Sequence, residues 1–166
     1  VELVVPLSST LEAQIKTISV QTSNGQRQTV DVKLPRGVSP GSTIKYPQLG
    51  DSFFEQLPKG DLYVQVQVEN DTDFAVNGLD LYKAVDINAI DAIIGTKISI
   101  TSICNKTFEM VIPTGTQHGR KFKIASNGLY TMNQSSRGSL IVVVNIVIPT
   151  DLTSEQLQTL RTINEL

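Results

Sequence analysis

The chain is poor in the residues that carry metal and redox chemistry, with one Cys, one His and no Trp in 166 residues. A structural zinc site takes about four Cys or His ligands, so zinc-finger architectures are excluded. A single Cys forms no intramolecular disulfide, so the fold must hold by burial alone, as suits a reducing compartment; a cytoplasmic location is expected. Charge of one sign is lacking as well. With 14 Lys plus Arg against 16 Asp plus Glu, the net charge is −2, which gives no electrostatic reason to expect nucleic acid or an anionic membrane as a partner. Long apolar runs are missing too: the longest, Leu140 to Val144, stops at Asn145. A membrane helix needs about 18 or more, so a soluble protein is expected. The N-terminus has no signal peptide pattern. It opens without Met, already inside the strand-like Val1 to Leu7, as a fragment or processed piece would.

What is there is enough for a core, since 40% of the residues are apolar and only 18% charged, far from the disordered regime. The organisation comes from an internal repeat. Leu34-Pro-Arg-Gly-Val-Ser-Pro-Gly-Ser-Thr-Ile-Lys-Tyr46 lies over Ile112-Pro-Thr-Gly-Thr-Gln-His-Gly-Arg-Lys-Phe-Lys-Ile124. At the same offset Gly50 lands on Gly128, and Lys59 to Val68 lands on Arg137 to Ile146 without a gap. Upstream the match loosens, with Leu11-Glu-Ala13 answering Ile90-Asp-Ala92. Two units of about 80 residues follow.

Strand chemistry fills both units. Leu62, Val64, Val66 and Val68 alternate with Tyr63, Gln65 and Gln67, the period of two that buries one face. Lys16 to Val20 and Val30 to Leu34 alternate likewise, while Leu140 to Ile148 is apolar throughout, as for a strand covered on both faces. Each unit carries a P-x-G-x-x-x-G turn, at Pro35, Gly37 and Gly41 and at Pro113, Gly115 and Gly119. Pro ends the strand there, and the glycines supply positive φ or close backbone approach. Ala89 to Ile94 reads as a short helix stopped by Gly95. Thr153-Ser-Glu-Gln156 is a capping box, with Leu152 and Leu157 placed as a hydrophobic staple. The helix it starts has one apolar stripe, Leu157, Leu160 and Ile163, and about thirteen residues are marginal alone in water. The stripe packs either on its own second unit or on a second subunit.

Tandem β units with these motifs resemble the C-terminal peptide-binding domains of DnaJ-type J-domain co-chaperones. Leu34 to Ile44 is similar to the family's "IPPGVxxGTxI" segment and Gly60-Asp-Leu-Tyr-Val64 to "GDLYV"; Ala92-Ile-Ile-Gly-Thr-Lys97 and Pro149 to Gln156 are similar to "ALLGTK" and "PxxLTxEQ". The chain has no His-Pro-Asp motif of a J domain and no Cys-x-x-Cys pairs, so the resemblance is to the zinc-less class. Phe74-Ala-Val-Asn-Gly-Leu-Asp-Leu81 stands where the family usually has "FxRDGDDL".

The resemblance implies a mostly β fold: two tandem β-sandwich-like subdomains, 1–78 and 79–150, each with a short helix, then a dimerising C-terminal helix, 151–166. It implies a homodimer that holds unfolded or extended client polypeptide for a DnaK-type chaperone; no cofactor is expected, and for want of any acid, base and nucleophile constellation no enzymatic activity is expected. The first subdomain would take peptide beside a strand edge through Leu3, Val5, Ile18, Val20 and Val64, with Lys16 as a basic neighbour and Leu157, Leu160 and Ile163 as the dimer contact. On pattern alone the five aliphatics suit a sandwich core equally well. The family's second basic position is Ser19 here.

Other reactive residues read as structural. His118 sits in a turn opposite Pro40 in the repeat, with no nucleophile motif. Cys104 has no His nearby in sequence to activate it. Glu69-Asn-Asp-Thr-Asp73 lacks the Gly and spacing of an EF-hand loop and reads as a linker. The competing functions are a curved-DNA-binding co-chaperone fragment, which the charge opposes, and a β-sandwich structural protein.

Overall fold

The computed structural model describes residues 1–22, 25–51 and 58–165. The protein is mostly β. In the first unit the strands are β1 (Glu2–Val5), β2 (Gln14–Gln21), β3 (Arg27–Leu34), β4 (Thr43–Tyr46) and β5 (Leu62–Val68), with a 3-10 turn at Leu7–Thr10. The second has β6 (Ala75–Asn77), β7 (Asp80–Asn88), α1 (Ala89–Ile94), β8 (Thr96–Thr101), β9 (Thr107–Ile112), β10 (Lys121–Ile124) and β11 (Leu140–Val147), and α2 (Ser154–Asn164) ends the chain.

Each unit joins a sheet to a separate hairpin. In the first, β5 lies between β1, parallel, and β4, antiparallel, with β2 and β3 as the hairpin. In the second, β11 lies between parallel β7 and antiparallel β10, with β8 and β9 as the hairpin. β6 adds one more strand on the outer edge of β7. It is three exposed residues inside the stretch from Phe74 to Leu81, too short for any periodicity to reveal.

The strand register corrects the repeat upstream of the turns. Val5 pairs with Val68 and Ile87 with Ile146, while Gln14 pairs with Leu34 and Thr96 with Ile112. These pairs bracket the intervening segment, so Leu11 corresponds to Ile93 rather than to Ile90, and Thr10 to Ala92. The side chains agree. Val5, Leu34, Val38 and Val66 form one buried cluster, and their counterparts Ile87, Ile112 and Val144 form another with Ala92. The closing glycines also match: Gly41 N donates to Val66 O and Gly119 N to Val144 O, each at 2.8 Å.

One cluster crosses the boundary between units. Leu7 and Leu11 of the first unit are buried with Phe74, Leu81, Ile100, Ile103, Leu129, Leu140 and Val142, so the 3-10 turn is a plug in the neighbour's core. Burying a Leu fully contributes about 1.5–3 kcal/mol, and two such side chains make this joint more than a flexible tether. α2 starts as its sequence dictates, with Thr153 Oγ1 accepting from Gln156 N at 3.2 Å and Gln156 Oε1 accepting from Thr153 N at 2.8 Å. None of its residues is buried.

Candidate functional site

An antiparallel hairpin leaves alternate backbone groups of its outer strand edges unpaired unless another strand covers them. Among the described residues β2 pairs only with β3. At the hairpin tip Thr22 N donates to Gln26 O at 2.9 Å. By the alternation of an antiparallel ladder the amides of Lys16, Ile18 and Val20 then face β3, and those of Ile15, Thr17, Ser19 and Gln21 face the open edge.

The aliphatics of the sequence-based site share this region but differ in exposure. Ile18, Val30, Val32, Leu62 and Val64 are a buried cluster, with Leu3 and Val20 half-buried against it. Val64 is 0% exposed and Val5 1%. Val5 belongs to the other cluster, with Leu34, Val38 and Val66, though Leu3 packs against both. The reason is the parallel β1–β5 pairing, which sets Leu3 opposite Val66 and Val5 opposite Val68. Leu3 and Val20 are therefore the half-open members beside the edge, Ile18 and Val64 lie beneath them, and Val5 is core. Lys16 is half-buried and makes no ion pair among the described residues.

In the second unit β8 likewise pairs only with β9 among the described residues, but the aliphatic flank differs. Val20 corresponds to Ser102, buried with its hydroxyl unpartnered. β8 stops at Thr101 and reverses, with Ser102 N donating to Lys106 O at 2.8 Å. Its hairpin tip, Ile103 to Asn105, instead lines a cleft of about 1080 Å³ whose opposite wall includes Leu11, Lys33 and Arg36 of the first unit.

The wall of that cleft holds contacts no motif pointed to. Tyr130 has the Arg36 guanidinium 4.5 Å and the Arg137 guanidinium 4.8 Å from its ring centroid. Arg36 Nη2 donates to Gln134 O at 2.9 Å, and Asn133 N donates to Arg36 O at 3.0 Å. Arg137 Nη2 lies 2.8 Å from Cys104 Sγ and Arg137 Nε donates to Gly128 O at 2.7 Å. Cys104 is thus tied into the joint, half-buried. His118 is a turn residue, its Nδ1 accepting from Ile146 N at 3.2 Å.

The Gly-Asp-Leu-Tyr-Val motif has a local explanation. Asp61 pairs with Lys45 at 2.7 Å and accepts from Gln48 N at 3.3 Å, tying the start of β5 to the strand beside it and to the turn after it. The hydrogen bond from Lys45 holds the Asp61 carboxyl below the usual carboxylate range, and the same bond raises the Lys45 ammonium.

Among the described residues no cluster of His, Cys, Asp and Glu is arranged to hold a metal. No helix among them is long and apolar enough to cross a membrane. A strand edge flanked by aliphatics holds extended chain by main-chain hydrogen bonds and shallow side-chain pockets.

Comparison with known proteins agrees with this architecture. A family model described as the DnaJ C terminal domain matches residues 1–149. Chaperone protein DnaJ of Orientia tsutsugamushi (strain Ikeda) is 35% identical over 129 residues, covering 78% of this chain and 34% of the relative. The Streptococcus pneumoniae (strain R6) protein of the same name is 36% identical over 131 residues, covering 79% and 35%. That of Thermosipho melanesiensis is 34% identical over 141, covering 85% and 38%. The chain thus spans little more than a third of these relatives. With the motifs, the doubled sheet-and-hairpin unit and a family match over almost its whole length, the chain belongs to the DnaJ C-terminal domain family.

Proposed function

We propose that this chain is the client-holding part of a DnaJ-type co-chaperone, taking extended apolar segments of unfolded polypeptide as an added strand on the open edge of β2. Its first subdomain, 1–78, binds the segment, with Leu3 and Val20 contacting alternate side chains above Ile18 and Val64, and Lys16 at the margin. Val5 supports β1 from the core. The second subdomain, 79–150, braces the first, and the helical segment 151–166, of which residue 166 lies outside the described residues, pairs two copies through Leu157, Leu160 and Ile163. Held clients pass to a DnaK-type chaperone.

The open β2 edge beside Leu3 and Val20 carries the reading. Main-chain pairing ignores sequence, as a holder of many clients requires, and two linked sites raise avidity on a long unfolded chain without new contacts. Val20→Asp tests the site, because Val20 is half-buried and tolerates a charge that buried Ile18 does not. An apolar peptide followed by fluorescence anisotropy should lose at least tenfold in affinity while circular dichroism stays unchanged. Equal affinity in the folded variant removes the β2 site.

A further inference from the structure

Arg36 of the first unit and Arg137 of the second rest on one ring, their guanidinium carbons 4.5 Å and 4.8 Å from the centroid of Tyr130. Both residues are half-buried. Neither makes an ion pair among the described residues, where the salt bridges are Lys45–Asp61, Lys83–Asp73 and Lys97–Glu109. Their side-chain hydrogen bonds go to neutral acceptors: Arg36 gives one, to Gln134 O, and Arg137 gives two, to Gly128 O and Cys104 Sγ. A guanidinium carries several donors beyond these, so most are unused.

Two like charges held on one ring repel, and partial burial removes some of the water that would screen them. The attraction of the ring offsets part of that cost but neutralises neither charge. An anion brought to the pair would stabilise it. There is room for one, because Arg36, Tyr130 and Cys104 all line the cleft of about 1080 Å³ between the units, and Arg137 reaches this wall through its bond to Cys104. Lys33 adds a further cation to the lining, and Glu12 is its one acidic residue. Ile44 of the first unit and Met132 of the second add apolar surface.

We propose that this cleft binds a small apolar molecule bearing a carboxylate, the head on Arg36 with Arg137 beside it and the body along Ile44 and Met132. The guanidinium fork meets a planar carboxylate with two parallel hydrogen bonds. A carboxylate is favoured over a phosphate because Glu12 lines the same cleft and repels a doubly charged head more strongly. A cleft between domains, at the upper end of the size range of small-molecule sites, suits such a ligand. The site is separate from the β2 edge. A molecule that touches both units binds only their joined arrangement and so stabilises the joint by mass action.

The test titrates the whole chain with naphthoate, with its neutral counterpart naphthylmethanol and with naphthyl phosphate, each followed by amide NMR. Naphthoate should give saturable shifts at Arg36, Cys104 and Asn133, on both walls of the cleft. It should bind about tenfold or more tighter than naphthylmethanol, the worth of a charged hydrogen bond. Arg36→Met keeps the stem, removes the charge and should weaken naphthoate by about tenfold or more on the same grounds. Because Arg36 also braces the joint, Lys33→Met serves as a second variant: Lys33 is exposed and makes no ion pair among the described residues, so the unfolding midpoint should hold while naphthoate affinity falls. Val20→Asp should leave naphthoate binding unchanged, which keeps this site distinct from β2. No saturable shift, shifts confined to β2, equal affinity for the alcohol, or full naphthoate affinity in both Met variants overturns the site. Tighter binding of the phosphate overturns the carboxylate class.

Discussion

The Arg36 guanidinium of the first unit stacks 4.5 Å from the centroid of the Tyr130 ring of the second. Arg36 also donates to Gln134 O and accepts, through its carbonyl, from Asn133 N. One residue, through its side chain and its carbonyl, thus holds the polar half of a joint whose apolar half is the Leu7 and Leu11 plug. Arg36→Ala removes a cation–π contact worth about 0.5–1 kcal/mol and a hydrogen bond worth about 0.5–1.5 kcal/mol. The expected loss is about 1–2 kcal/mol in urea unfolding, with peptide affinity at β2 unchanged, since β2 is not part of this contact.

The two Pro-x-Gly turns should respond unequally to the same substitution. Gly37 and Gly115 both have positive φ, at 75° and 72°, so an Ala at either position carries backbone strain of about 1–2 kcal/mol. A Cβ on Gly37 would also lie 2.7 Å from the backbone of Tyr130 and Thr131, while one on Gly115 meets nothing within 4 Å. Gly37→Ala is expected to cost about 1–3 kcal/mol more than Gly115→Ala, the usual range for overpacking. Chemical denaturation of both variants measures the difference.

The Lys45–Asp61 pair gives a pH dependence of known sign. Asp61 is depressed below 3.8, first by its hydrogen bond from Lys45, so its contribution is present above the unfolded value and is lost as pH falls through the lower folded one. Lys45 is raised above 10.5 by the same bond, so its contribution holds below that value and fades as pH rises through the higher folded one. Both groups are solvent-accessible, so the effect on stability is small. An NMR titration of the Asp61 carboxyl should show its midpoint rise in Lys45→Met.

The α2 stripe should set the assembly state. Leu157→Asp/Leu160→Asp is expected to halve the mass measured by light scattering while circular dichroism retains the β signal, because no residue of α2 is buried in the chain's own core.

The sequence made the local elements legible. The alternation of Leu62 to Val68 became β5, Ala89 to Ile94 became α1 ahead of Gly95, and Thr153 with Gln156 formed both halves of the capping box. These depend on residues close in the chain. Contacts between distant residues were not legible: nothing in Tyr130 announces that it meets Arg36 across the joint, nor in Arg137 that it meets Tyr130 and Cys104. The site was half legible for the same reason. Period-two alternation put Leu3, Val5, Ile18, Val20 and Val64 on strand faces, but only the β1–β5 register separates core Val5 from half-open Leu3. The repeat located the units, yet its upstream match was displaced where sequence identity is low, until strand pairing aligned Leu11 with Ile93.

Strand addition at β2 is tested most directly by amide hydrogen exchange, read residue by residue by NMR, with and without a saturating apolar peptide. Protection is expected at the alternate positions Ile15, Thr17, Ser19 and Gln21, whose amides face the open edge, with little change at Lys16, Ile18 and Val20, already bonded to β3. Peptide binding that leaves all four outward amides exchanging as before would contradict the account.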